Sequence, residues 1–408
     1  MENIITDKIA FGGNCLTKIN GKNVFVPFAI PGEELKVEII QEKRDYDIAK
    51  ISEIIKPSPY RVTPECKYYE KCGGCNMMHI DAEYQKELRK QILSDCLSRN
   101  GVDFPLEKIN VISGENFGYR ARIQLNDGGF SERAGNQIIP VTDCLCATKE
   151  LNEWLSSKKM AERPSDRIHL FGCKNVISVG YDENKKISIS SLEKKETTDY
   201  SKLKKKNKNI REVKKRYSGT SINTSDTIKV KILDKEVSFD VKGFFQSNID
   251  VLEKAIKTLC KGLKGSTCLD MYAGCGTFSV FLADIFKEVT LVEHNRDALV
   301  FAEENLKGIK HQSFGLSGEK WIQTAENKYF DAVVIDPPRS GMEKEVCKWL
   351  CKSKIPQIRS VSCDPATHAR DLSFLLKAGY ELKELYLLDF YPNTSHIESL
   401  AILERDPE

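Results

Sequence analysis

The segment Ser360–Asp371 reads SVSCDPATHARD and sets one thiol, Cys363, where an apolar strand-like run gives way to a helix start. Sulfur at such a place serves as a nucleophile, a metal ligand or a small apolar filler. Two other stretches bear on the choice. VVIDPPRSG puts Asp336 and two consecutive prolines at the end of another strand-like run, and the prolines fix an extended loop that offers a planar base a rigid wall. LLDFYPNTSHIESLAIL carries Glu398 inside a largely apolar stretch. A surface charge accounts for Glu398, and a strand-ending turn for the prolines, but neither accounts for the place of Asp336 and Cys363 on one strand edge.

A thiol and a carboxylate beside a methyl donor define a reaction. Pyrimidine C5 is a poor nucleophile until a group adds at C6. A thiolate adding there gives an enolate whose C5 attacks a sulfonium methyl group, and a base must then take the C5 proton before the thiol leaves. CLDMYAGCGTFSVFLA supplies a donor pocket: Gly274-x-Gly276 follows the strand Thr267–Tyr272 and precedes a helix. Glycines there let the backbone approach a ligand at the carboxyl end of a parallel strand. Glu293 ends the next apolar run, EVTLVE, where a carboxylate accepts hydrogen bonds from both hydroxyls of a ribose. The full G-x-G-x-x-G pattern of a pyrophosphate binder is missing. S-adenosylmethionine, a nucleoside without phosphates, fits better than NAD.

A second group of thiols has metal-ligand spacing. CKYYEKCGGC places Cys66, Cys72 and Cys75 as C-x5-C-x2-C, and Gly73-Gly74 permits a tight turn onto one ion or cluster. TDCLC offers Cys144 or Cys146 as a fourth thiolate. Spacing leaves zinc and an iron–sulfur cluster equally open, against three buried unligated thiols. The chain has fourteen cysteines and no export signal, which points to a reducing, cytoplasmic setting rather than to disulfides. No apolar run is long enough to span a membrane.

Three segments must position these groups. Residues 1–57 hold short β-like runs, NVFVPF, LKVEII and AKISEII, and predict a small barrel. Residues 58–240 hold the cysteines, a helical run at 82–98 and a basic block, YSKLKKKNKNIREVKKRY, at 200–217. Nine Lys or Arg face one acid there, which suits RNA phosphates or else a solvated loop, because the net charge of the whole chain is only +3. From 241 to 408 strand-like and helical runs alternate, which predicts an α/β fold with a parallel sheet covered by helices.

The chain resembles the RNA uracil-5 methyltransferases that carry an N-terminal TRAM domain, an OB-like RNA-binding barrel, and an iron–sulfur cluster. The resemblance rests on PFAIPGE, CKYYEKCGGC, GYRARIQ, GFFQSN, LDMYAGCGTF, DPPRSG, SCDPATHARDL and HIESLAIL, in that order. It implies a class I, Rossmann-like catalytic domain at 241–408, a TRAM barrel at 1–57, and a [4Fe-4S] cluster on Cys66, Cys72, Cys75 and Cys144 in the middle domain. It further implies donor contacts from Gln246, Tyr272, Glu293 and Asp336, with Cys363 as nucleophile and Glu398 as base. A monomer acting on RNA, ribosomal (23S) in preference to transfer RNA, is the expected form. The sequence departs from the pattern at Cys15, where a third glycine is common, and in GIKHQSFGLSGEKW, where no adenine contact is assigned. Methylation of an exocyclic amine also uses Asp-Pro-Pro but leaves Cys363 and Glu398 without a role. Cytosine-5 methylation needs the thiol but fits the Glu398 segment less well. A non-catalytic RNA-binding redox sensor needs neither Cys363 nor the glycine turn.

Overall fold

The structure is a computed structural model that describes residues 1–165, 167–181, 227–324 and 329–405. The basic block at 200–217 lies outside the described residues. Alternating apolar residues at the start of the chain form six strands: β1 (Glu2–Ile5), β2 (Lys8–Ile9), β3 (Cys15–Ile19), β4 (Lys22–Val26), β5 (Glu34–Glu42) and β6 (Tyr46–Lys56). Val24, Val26, Leu35 and Val37 point inward and are buried. The strand order is β1-β5-β6-β4-β3-β2. Only Thr6 and Asp7 separate β1 from β2, and β1 also lies against β3, so the sheet curls round on itself in a barrel-like shape.

One carboxylate fastens this barrel to the segment that follows it. Glu33 is 0% exposed and accepts hydrogen bonds from the backbone N–H groups of Ile30 (2.9 Å) and Ser58 (3.1 Å). Arg61 donates to both of its oxygens at 2.5 and 2.6 Å. Burial pushes the Glu33 carboxyl up, but Arg61 and the two amides outweigh it and hold the group below its ordinary value.

The alternating runs of the C-terminal part form an eight-stranded sheet. Its strands from that part are β15 (Thr267–Met271), β16 (Glu288–Val292), β17 (His311–Phe314), β18 (Ala332–Ile335), β19 (Gln357–Ser362), β20 (Glu381–Leu388) and β21 (Glu398–Glu404). The eighth comes from the middle segment: β7 (Ile109–Ile112) pairs in parallel with β20 at the sheet edge. The order is β17-β16-β15-β18-β19-β21-β20-β7, with β21 alone antiparallel to its neighbours. Helices cover both faces, which is why β18 and β19 are buried along their whole length. Arg359, a cation inside β19, is satisfied there by donating to the carbonyls of Leu259 (3.1 Å) and Lys261 (3.2 Å) at the end of helix Ile249–Cys260.

The middle segment packs between barrel and sheet. It contains β8 (Arg122–Leu125), β11 (Ile168–Cys173) and β12 (Val176–Tyr181) in one sheet. The pair β9 (Phe130–Ser131) and β10 (Ile138–Ile139) and the hairpin β13 (Thr227–Ile232) and β14 (Lys235–Asp240) complete its strands. Helix Ala82–Arg99 opens on Asp81, whose carboxylate accepts from the N–H groups of Glu83 and Tyr84. This helix lies against helix Pro365–Lys377, which begins just after Cys363. Among the described residues no helix is long and apolar enough to cross a membrane.

Because Glu33 has a depressed pKa when folded, its contribution is present above the unfolded value of about 4.3 and is lost as pH falls through the folded value. Glu33→Gln leaves Arg61 without its counter-charge and is expected to cost about 3 kcal/mol. Hydrogen exchange of barrel peptides at neutral pH measures the loss, and the variant should also lack the wild-type acid step below about pH 4.

Candidate active site

Strand direction assembles the site. β15, β16, β18 and β19 run parallel and end at Met271, Val292, Ile335 and Ser362, so Tyr272, Glu293, Asp336 and Cys363 all emerge at one edge. β21 runs the other way and begins there with Glu398. Ser362 pairs with Ser399, which makes Cys363 and Glu398 the next opposed pair. Opposed residues share a face, with Cβ atoms about 4.5–5.5 Å apart. A cleft of about 770 Å³ opens at this edge, and Gln246, Tyr272, Glu293, Asp336, Cys363 and Glu398 all line it. The six residues named from sequence are thus brought together.

The turn after β15 explains its glycines. Tyr272, Gly274 and Gly276 have φ of 66°, 56° and 77°, so the backbone winds through the left-handed region. A Cβ on Gly276 would stand 3.1 Å from the Cβ of Ala302, whereas one on Gly274 would meet nothing within 4 Å. Gly276 therefore serves close packing and Gly274 leaves room in the cleft. Glu293 is locked onto this turn: its Oε2 accepts from Gly274 N at 2.9 Å and its Oε1 from Asn295 N at 2.6 Å. Oε1 also lies 3.2 Å from His294 Nδ1, so Oε2 is the oxygen that keeps a lone pair for a ligand.

The cleft buries several carboxyl groups close together. Burial, with the nearby Asp336 adding to it, pushes Glu398 up to about 8, while Gln246 and Arg339 pull it back. Burial raises Asp336 to about 7 and Asp270, beneath the turn, also to about 7. Burial, then the charges of Glu398 and Asp336, push the Cys363 thiol up to about 11 against the opposing effect of Arg339. Gln246 Nε2 donates to Glu398 Oε2 across a long 3.5 Å, and its buried Oε1 has no partner among the described residues. Burial and mutual repulsion thus favour the protonated forms of these groups.

Sequence reasoning missed several contributors. Asp270 was signalled only as a lone acid in the apolar strand TCLDM. Phe244, in GFFQSN, lines the cleft yet is 70% exposed. His368 lies behind the site, with Nδ1 2.7 Å from Ser399 Oγ and Nε2 3.2 Å from Ser360 Oγ, and so ties β21 to β19. A second cavity of about 410 Å³ adjoins the cleft at Tyr272, His294 and Pro338 and is walled by Leu316 and Ser317, within the stretch for which no adenine contact was assigned.

The middle segment has its own cavity of about 480 Å³, lined by Cys66, Cys72, Cys75, Cys144 and Cys146. Cys75 Sγ lies 3.7 Å from Cys146 Sγ. Among the described residues no three His, Cys, Asp or Glu side chains converge as the ligands of one metal ion would. Arg122 and Arg133 also line this cavity, and the Nε of each is buried without a partner.

The family described as tRNA (uracil-5-)-methyltransferase matches residues 184–406. An uncharacterized RNA methyltransferase of Treponema denticola is 35% identical over 99% of both chains. The chain belongs to the RNA (uracil-5-)-methyltransferase family. A 23S rRNA (uracil(1939)-C(5))-methyltransferase of Histophilus somni is 29% identical over 98% of this chain and 95% of its own. In fold, this RNA (uracil-5-)-methyltransferase is similar to the crystal structure of the Pyrococcus abyssi tRNA (uracil-54, C5)-methyltransferase. The two superpose with a TM-score of 0.72 over 98% of this chain and 100% of the other, at 23% identity.

A thiol held near 11 should alkylate slowly at neutral pH. Peptide mapping after iodoacetamide should show Cys363 modification still rising with pH well above about 8.5, the value of an ordinary thiol. A plateau at or below that value would contradict the cleft's effect on the sulfur.

Proposed function

We propose that this enzyme methylates C5 of a uridine in RNA, most directly in 23S rRNA, with S-adenosylmethionine as donor. The observation that carries the reading is the opposed pair of Cys363 and Glu398 in a cleft that also holds the glycine turn and Glu293. Gly274 leaves space beside Glu293, whose carboxylate suits ribose hydroxyls, and the cavity at Leu316 and Pro338 suits the flat adenine. The crowded carboxyl groups favour a cation. The donor, when bound, supplies an electrophilic methyl group on a sulfonium.

The protein's part follows in order. Cys363 Sγ gives its proton to solvent and bonds to C6, and the C5–C6 electron pair moves toward O4. C5 then takes the methyl group, leaving a neutral thioether. Glu398 accepts the C5 proton, the double bond re-forms, and the Cys363 thiolate departs. Asp336, beside the prolines, positions the uracil. A positive charge in the cleft lowers the pKa of Glu398 from about 8 and so readies it as a base.

We read Cys66, Cys72, Cys75 and Cys144 as holders of a [4Fe-4S] cluster. The thiols surround a cavity rather than a point, which suits a cluster better than a single ion. The unpartnered Arg122 and Arg133 nitrogens suit its negative charge. The barrel at 1–57 is read as a TRAM module that grips RNA. The rRNA target is supported by near-full-length relatives named for 23S rRNA; the tRNA named for the P. abyssi enzyme is the second reading.

Cys363→Ala is expected to give neither methylated RNA nor a covalent complex. Glu398→Gln should transfer methyl once and then stall, with labelled RNA bound to Cys363 on denaturing gels and release slowed about 100- to 10,000-fold. Normal methylation by Cys363→Ala would end the covalent mechanism. Anaerobically purified protein should carry about four irons per chain, lost in Cys72→Ser. Stoichiometric zinc without iron would overturn the cluster.

A further inference from the structure

Glu398 is delivered by the loop Asp389–Ile397 that joins β20 to β21, and this loop is fastened by the middle segment. Asn393 is its hub. It is 4% exposed and adopts φ 66°, a conformation that asparagine tolerates better than most residues. Its N–H donates to Gln85 Oε1 at 2.9 Å, and its Oδ1 accepts from Gln85 Nε2 at 3.2 Å. Its Nδ2 donates to the carbonyl of Asn116 at 2.9 Å, and its own carbonyl accepts from the N–H groups of Asn76 and Met77 at 3.1 and 3.0 Å. To one side, a fully buried Arg89–Asp389 pair at 2.8 Å pins the start of the loop.

Glu398 has little else to orient it. Among the described residues its carboxylate accepts only the long 3.5 Å bond from Gln246. Glu398 is the first residue of β21 and pairs with Leu388 of β20, so the strand register and the loop that leads into it together set its place, and a shift of about 1 Å in a reacting group can cost 100-fold. Cys363 lies on a different element, at the end of β19, and the hydrogen bonds of Asn393 do not reach it.

We propose that Asn393 is a positioning residue that, together with Gln85, holds Glu398 where it can take the C5 proton. The inference rests on the reading of Glu398 as the base. Asparagine meets two demands there: it tolerates the left-handed backbone, and it offers both an acceptor to Gln85 and a donor to Asn116. Glycine meets only the first. An aspartate would set a buried carboxylate against the Asn116 carbonyl.

The test uses full-length protein, labelled S-adenosylmethionine and total RNA from cells lacking the enzyme. Asn393→Gly keeps the backbone conformation and removes the side-chain bonds; Gln85→Met removes them from the other side. In each, methyl transfer in a single turnover should stay within about twofold of wild type, while release of methylated RNA from Cys363 slows roughly 10- to 100-fold. Methylated covalent complex should accumulate on denaturing gels, with KM for RNA unchanged. Stalling in either variant at an unchanged melting temperature supports the proposal. Release at the wild-type rate in both, or parallel loss of transfer and release with a lowered melting temperature, overturns it. Glu398→Gln is run alongside: its failure to stall would mean that the base is misassigned, a result separable from failure of the Asn393 and Gln85 variants.

Discussion

The antiparallel return of β21 between β19 and β20 is the constraint on which the site depends. A wholly parallel sheet would send every strand's carboxyl end to the cleft and nothing back. Because β21 enters from that edge, its first residue, Glu398, is set opposite the residue that follows β19, Cys363. A one-residue slip of β21 would turn Glu398 to the other face, away from Cys363. The buried polar links around these strands serve that register. His368 joins Ser399 to Ser360 across them, and Arg359 ties β19 to the end of the helix Ile249–Cys260.

Electrostatics gives the same edge its chemical character. Asp270, Asp336 and Glu398 are each raised by burial, and Glu293 stands nearby with its oxygens fixed on backbone amides. Such a cleft is costly to ionise alone and is relieved by a bound cation. Under the proposed reading, donor binding and base activation are one event, since the positive charge that brings the methyl group also frees Glu398 to accept a proton. The high thiol value of Cys363 has the same origin, burial first and then the charges of Glu398 and Asp336.

The positions of Tyr272, Glu293, Asp336, Cys363 and Glu398 were legible because each sits where an apolar run stops or starts, and strand ends gather at one edge of an α/β sheet. The alternation of the C-terminal runs was enough for the parallel sheet, and the short runs before residue 57 were enough for a separate N-terminal β-sheet. Long-range partnerships were not legible. Nothing local marks Asn393 as the partner of Gln85, Arg89 as that of Asp389, or His368 as a bridge between two serines. The cysteine spacing announced a site of some kind, but it did not reveal that Cys146 lies against Cys75. The stretch before Trp321 looked uninformative because its contribution is a wall of backbone and aliphatic surface, Leu316 to Gly318, and not a charged contact.

One strand carries a consequence for how the molecule is made. β7 lies early in the chain, yet it pairs with β20, among the last strands to leave the ribosome. At ordinary translation rates it waits on the order of tens of seconds for its partner. Over that interval Ile109 and Ile112, both buried in the finished protein, have no sheet to join. The converse holds for the other half. A catalytic module cut away from the first part of the chain would leave β20 as a bare edge, its amides and carbonyls open to any passing strand. The recruitment of β7 thus makes the catalytic sheet complete only in the full chain, with the early segment acting as the seal on its last-made edge.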